Sequence, residues 1–407
     1  MKPLPRSING SLLLLLAMCL GLAAGETLTP GLHQKIPFGD GWTCDVLVPD
    51  AAGDAPLPVL FLFSAGGNPD VRRWKPWADT NTMLVVGLND SHNNIDAGLL
   101  VRMQKAVSAA IEPLAKVHPF LRYSTGFSGG GWCAMLMART MGDAHAGVLV
   151  QGHHLLQFPF DGVAKHVPIS FLWGENDPAF GVKTMEGRKR QLTDLGFVTR
   201  LQEIPGIGHD EPALELQQQA LSVVIELANV TNPRLSKDEL QAAWDRVSKR
   251  IATLSTATTP AQGLAAAEPL FQLPGIEQVR PGDYRHLVTA WFDLSLTQGI
   301  AISDPVESHA QLDVLANHPR IMSVDAGRRK KLTTHMAGLR KQPAVKAEVV
   351  AAGYLAQLQA TAAKNKGVPS KLKPLIDELE SLIKKYPQTK AARTAATTLE
   401  DLRKQVR

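Results

Sequence analysis

Four short segments constrain this chain more than any other feature. VLFLF (Val59–Phe63) and MLVVGL (Met83–Leu88) are continuously apolar rather than alternating, and AGVLVQG (Ala146–Gly152) and VPISFLWG (Val167–Gly174) repeat the buried-strand pattern. A strand covered on both faces reads as an unbroken apolar run, whereas one with a wet face alternates. Between and after them lie helix-length segments. In Ile95–Val117 the residues Leu99, Met103, Val107 and Ile111 recur on one face, with Pro119 just beyond; Gly130–Thr140, Gly181–Leu195 and Pro212–Val230 are the others. Trp42–Pro49, Arg122–Phe127 and Val198–Ile204 add further strand composition. Strands alternating with helices predict an α/β class with a mostly parallel central sheet.

From Thr231 onward the pattern changes to helices, apart from a short strand expected near Gly299–Ser303. Ser236–Leu254 opens on a Ser-x-x-Glu capping box (Ser236, Glu239), and Thr253–Gly263 reads as a linker. Helices are expected at Ile276–Leu296, His309–His318, Ala326–Arg340, Val345–Ala363 and Lys371–Lys385. At 407 residues two domains are the natural expectation. The divisions read are 1–25, 26–230, 231–265 and 266–407. Charge supports the split. Residues 328–407 hold 18 Lys/Arg against 6 Asp/Glu, leaving 25 against 32 in the first 327 and a net charge of +5 overall.

Residues 1–25 have the form of an export signal. Lys2 and Arg6 precede an apolar stretch, Ser11–Leu22, and small residues Ala23–Gly25 follow. Twelve residues fall short of the roughly 20 that span a bilayer, so a membrane anchor is not expected. Acylation of Cys19 is an alternative that Met18 disfavours. A secreted or periplasmic chain is therefore expected. Cys44 and Cys133 then remain, read as buried small side chains, with pairing left open.

The chemistry centres on YSTGFSGGGWC (Tyr123–Cys133). Its Gly-x-Ser-x-Gly follows a predicted strand and opens a predicted helix, the setting of a nucleophile on a sharp turn. Ser128 needs a base and the base an orienting carboxylate. Asp177, in GENDP after one strand, and His209, in GIGHD after the next, supply them in the order serine, acid, histidine. Both lie at strand carboxyl ends, where open α/β sheets build sites. Glu175 is a rival acid, and Asp210 a candidate cap for the following helix. His153 and His154, like Asp90 and His92, fall near the same ends without an assigned role.

This constellation resembles the α/β-hydrolase superfamily, in its dienelactone hydrolase and secreted esterase or polyhydroxybutyrate-depolymerase-like branches, over Leu28–Val230. The resemblance implies an α/β-hydrolase fold with Ser128 as nucleophile, Asp177 as acid and His209 as base. It also implies an oxyanion hole from the N–H of Gly129 and a second N–H in Ser64–Asn68. Ser-Ala stands there where many members have His-Gly, leaving Ala65 and Gly66 as alternatives. Trp74 and Trp77 fall where the family has a Trp-containing helix, and are read as core or rim. The closing segment Glu378–Gln405 is similar to the last helix pair of tetratricopeptide-like arrays, without a clean repeat upstream.

No metal-ligand spacing and no phosphate-cradling loop competes with the serine motif, and no cofactor is implied; Gly129–Gly131 runs into Trp132 and Cys133 rather than Lys-Ser/Thr. Nucleic acid is not an expected partner. The expected function is an exported serine hydrolase that cleaves small-molecule or polymer-linked carboxylic esters through an acyl-enzyme. The alternatives are a serine peptidase, or a weak or inactive hydrolase-fold scaffold acting through its helical C-terminal domain. For that basic domain, a solvated surface stands beside contact with an anionic envelope polymer or a protein partner.

Overall fold

The computed structural model describes residues 27–406 except 180, 257–258, 275 and 366–367. The export signal read at 1–25 lies outside them. Contacts divide the chain into two compact units, one ending at Val247 and one beginning at Ser248.

The first unit is built on an eight-stranded sheet: β1 Gly31–Phe38, β2 Trp42–Val48, β3 Leu57–Phe63, β4 Leu84–Leu88, β5 Val117–Phe127, β6 His145–Gln151, β7 Ile169–Gly174 and β8 Thr199–Ile204. Their order across the sheet is β1-β2-β4-β3-β5-β6-β7-β8. β2 pairs antiparallel with β1 and β4, and all pairs from β4 through β8 are parallel. This is the α/β-hydrolase topology.

The apolar runs are explained by what covers them. Among the described residues, six α-helices belong to or begin in this unit: α1 Lys75–Asn81, α2 Ala97–Ile111, α3 Gly129–Met141, α4 Val182–Asp194, α5 Leu214–Thr231 and α6 Lys237–Thr253. On one face Phe61, Val86 and Val150 pack with Met103 and Val107 of α2, Met135 of α3 and Met185 of α4. On the other, Leu60, Val85 and Leu149 pack with Trp77 of α1 and Leu221 and Val224 of α5. Residues of alternating orientation thus meet apolar side chains on either side, as parallel sheets require. Each fully buried side chain of this kind contributes about 1.5–3 kcal/mol relative to exposure.

α2 turns Leu100, Met103, Val107 and Ile111 inward, so Leu100 takes the place expected of Leu99. β1 was not expected from the sequence: an edge strand buried only in part carries a broken apolar pattern. The capping box forms as read, with Ser236 N–H donating to Glu239 Oε2 at 2.7 Å and Glu239 N–H to Ser236 Oγ at 3.3 Å. Cys44 and Cys133 are both free and buried.

The second unit is helical. It contains α7 Pro260–Ala267, α8 Ile276–Val279, α9 Pro281–Ala301, α10 Pro305–Ala316, α11 Ala326–Leu339, α12 Pro343–Lys364, α13 Pro369–Lys385 and α14 Lys390–Val406. Two expectations are corrected. Gly299–Ser303 is no strand: it holds the last residues of α9 and the two that follow, and Gly299 lets Leu312 approach; and the expected linker Thr253–Gly263 runs into α7, capped by Thr259. The last pair, α13 and α14, is joined by four residues and shares an apolar core with Leu355 and Leu358 of α12. No helix among the described residues is long and apolar enough to cross a membrane.

Candidate active site

Strand order reverses at β3, which lies between β4 and β5, so the loops after β3 and β5 diverge and leave a crevice. Ser128 sits there, between β5 and α3, at φ 54° and ψ −123°. A serine in this region is strained by about 1–3 kcal/mol. Two backbone bonds hold it: Ser128 N–H to Gln151 O at 2.8 Å and Gly131 N–H to Ser128 O at 2.9 Å. The flanking glycines make the turn possible. A Cβ on Gly126 would lie 2.6 Å from Gly130 backbone, and one on Gly130 would lie 2.6 Å from Phe63 O. The turn places Ser128 at the N-terminus of α3, where the helix dipole favours negative charge.

Asp177 and His209 arrive from the ends of β7 and β8. Their loops are fastened by Glu175 N–H to Ile204 O and Asn176 N–H to Ile207 O, both 2.9 Å. His209 Nδ1 lies 2.6 Å from Asp177 Oδ2, and His209 Nε2 lies 3.1 Å from Ser128 Oγ. A carboxylate only accepts, so Nδ1 carries the proton and Nε2 is left to accept from the serine hydroxyl. The Asp177 side chain is 1% exposed, and its Oδ1 accepts the Ala179 N–H at 2.9 Å. The rival Glu175 is turned elsewhere, its Oε2 taking the Gly206 N–H at 2.9 Å. The structure therefore brings together the three residues read from the sequence. Such a chain can activate a hydroxyl for attack and hold the imidazolium that results.

Of the two N–H groups named as alternatives for an oxyanion hole, that of Gly66 already reaches Ser64 Oγ at 3.3 Å. The Ala65 carbonyl accepts the Asn93 N–H at 2.8 Å, and Asn68 N–H donates to Asn89 O at 3.0 Å, so the loop after β4 holds the loop after β3. The Asn93 side chain lies against Gly129, where a Cβ would fall 1.7 Å from its Oδ1. Sequence reasoning pointed to that loop but to other residues. Asp90 accepts the Thr43 N–H at 2.7 Å, tying the loop to β2, and His92 Nδ1 bonds within the loop to Asn93 O. No sequence pattern marked Asn93, nor Phe127, whose ring lies 5.1 Å from that of His209.

Asp210 does not cap the following helix; Ala213 is the N-cap of α5 and no side chain bonds there. The rings of His153 and His154 lie 5.3 Å apart, tilted by 56°, and accept the N–H groups of Leu155 and Leu156. Burial, then the neighbouring charges of His154, His209 and Arg188, holds His153 down to about 4. Trp74 and Trp77 are buried edge to face, 5.4 Å apart, and belong to the core.

No family model and no curated protein matches this chain. Among solved structures it is similar to a dienelactone hydrolase-like promiscuous phosphotriesterase from metagenomic libraries (16% identity, 53% of this chain and 95% of that one, TM-score 0.38). It is also similar to a Bacillus cereus carboxylesterase (14%, 46% and 94%, 0.36). A third is a puromycin-hydrolysing peptidase of Mycobacterium tuberculosis (16%, 50% and 40%, 0.39). At these values the three say nothing about what this chain acts on.

Proposed function

We propose that this chain is an exported serine hydrolase that cleaves carboxylic esters through an acyl-enzyme. Ser128 attacks the ester carbonyl while His209 takes its proton, and Asp177 keeps the imidazole in the accepting tautomer and balances its charge. The N–H groups of Gly129 and Ala65 receive the tetrahedral oxyanion. His209 then returns the proton to the departing alcohol, and water repeats the sequence to free Ser128. The observation that carries the reading is the continuous chain from Asp177 through His209 to Ser128, ending on a serine at φ 54°. Structural serines have no need of that backbone strain.

A fluorophosphonate probe tests it. Wild-type protein is expected to label and Ser128→Ala to stay unlabelled, with loss of activity on simple acyl esters. Folded wild-type protein that fails to label would leave the chain a hydrolase-shaped scaffold.

A further inference from the structure

Asn93 reaches both residues whose N–H groups are assigned above to the oxyanion. Its own N–H donates to the Ala65 carbonyl at 2.8 Å, and its carboxamide lies over Gly129. A Cβ on Gly129 would fall 1.7 Å from Asn93 Oδ1 and 2.9 Å from Asn93 Cγ; the next nearest atom, at 3.7 Å, is Asn93 Cα. The neighbouring glycines differ. A Cβ on Gly126 or Gly130 would strike backbone, so the turn itself requires them. The φ of Gly129 lies outside the left-handed region, and what a side chain there would strike is the side chain of Asn93. Gly129 is also the first residue of α3, where alanine favours a helix more than glycine does. Glycine at 129 therefore answers to Asn93 and not to the turn.

The loop that carries Asn93 is pinned at both ends. Asp90 Oδ2 accepts the Thr43 N–H at 2.7 Å, and Asp96 Oδ1 caps α2 through the Leu99 N–H at 2.8 Å. Between them His92 Nδ1 donates to Asn93 O at 2.6 Å and Ile95 N–H to His92 O at 3.3 Å. Asn94 turns the chain at φ 66°, a left-handed conformation that asparagine tolerates. The bond from Asn68 N–H to Asn89 O, 3.0 Å, fastens the same loop to the loop after β3 a second time. Asn93 itself is exposed, so its loop rather than core packing places its side chain.

We propose that Asn93 is the positioning residue of the oxyanion hole. Its main chain holds Ala65, its carboxamide holds Gly129, and the gap between the two N–H groups is set by this one residue. The inference rests on the serine-hydrolase reading. In acylation the bond from Ser128 Oγ to the acyl carbon forms, the hydroxyl proton passes to His209, and the carbonyl π pair moves onto its oxygen. Both donors have to stand about 2.7–3.1 Å from where that charge develops. A misplacement of about 1 Å costs on the order of a hundredfold.

The test is a double-mutant cycle on the full chain. It is read as kcat/KM for phenyl acetate and as Ki for a trifluoromethyl ketone, whose adduct with Ser128 carries the same oxyanion. Asn93→Ala is expected to lower kcat/KM at least about tenfold and to weaken Ki by a like factor, with its thermal melt unchanged because the residue is exposed. Gly129→Ala is expected to cost at least about tenfold in the wild-type background, where its Cβ drives the carboxamide away. In the Asn93→Ala background, with no carboxamide to strike, the same substitution is expected to cost less than about threefold. Either single variant within about threefold of wild type overturns the proposal, as does a Gly129→Ala cost equal in both backgrounds. A loss of kcat/KM with Ki unchanged overturns it too, since a purely structural residue lowers the fraction of active protein and leaves the affinity of each active site alone. Fluorophosphonate labelling separates the failures. Wild-type protein that labels while the cycle fails loses the positioning role alone, whereas no labelling removes the hydrolase reading and the role with it.

Discussion

Replacing Asp177 by asparagine changes one atom and no volume, yet its effect can be worked out from the hydrogen bonds. The carboxylate serves two donors at once: Oδ1 accepts the Ala179 N–H at 2.9 Å, and Oδ2 accepts from His209 Nδ1 at 2.6 Å. An amide has one acceptor oxygen. The Ala179 N–H cannot change its nature, so the Asn oxygen stays with it and the N–H₂ turns to His209. Nδ1 must then accept, which moves the imidazole proton to Nε2, facing Ser128 Oγ at 3.1 Å. An Nε2–H cannot take the serine proton. In serine triads this exchange lowers kcat on the order of 10⁴-fold, equivalent to roughly 5.5 kcal/mol at about 1.4 kcal/mol per tenfold. The measurement is steady-state hydrolysis of p-nitrophenyl acetate, beside fluorophosphonate labelling rates and a thermal melt. A folded Asp177→Asn protein within about tenfold of wild-type kcat would refute the assignment of Asp177.

Acid should destabilise the first unit through His145, which is fully buried and held down to about 3, first by burial and then by the charges of Arg122 and His166. The Ser124 hydroxyl donates to Ala134 O, so the imidazole meets it as a neutral Nε2–H donor. The unfolded chain protonates near 6.5 and the folded one does not, so this stability is complete above that pH and lost as pH falls toward about 3. Between about pH 6.5 and about pH 5 the loss is roughly 2 kcal/mol, read from urea melts and absent from the slope of His145→Gln. Gly130→Ala should lose more than about 2 kcal/mol of stability, and Ser128 labelling with it, because its Cβ would meet Phe63 O at 2.6 Å; Gly181→Ala, with nothing within 4 Å, should be neutral in the same melt. The Cys44 and Cys133 thiols, pushed up to about 12 chiefly by burial, should resist iodoacetamide in the folded protein and react in denaturant, as counted by mass spectrometry.

What the sequence by itself determined was the set of features whose cause is local. An apolar run such as Leu84–Leu88 declares a strand buried on both faces because that placement removes all of its side chains from water. Gly126 and Gly130 around Ser128 declare a sharp turn because only residues without Cβ let β5, α3 and the end of β3 approach so closely. The order of Ser128, Asp177 and His209 followed from strand ends alone. Contacts between distant segments were decided only by tertiary structure. Glu175 and Asp177 are two residues apart in one loop, and sequence pattern does not say which carboxylate turns to His209; the Gly206 N–H takes one and His209 the other. Asn93 lies against Gly129 because two crossover loops meet at the strand-order reversal, a juxtaposition of 36 positions that carries no periodicity. The buried hydrogen bonds from Gln151 to Thr125 and to Gln217 join three elements, and their donors and acceptors can be matched only once the partners are in place. Local sterics and solvation are written along the chain, whereas the pairing of hydrogen-bond donors with acceptors is a property of the folded whole.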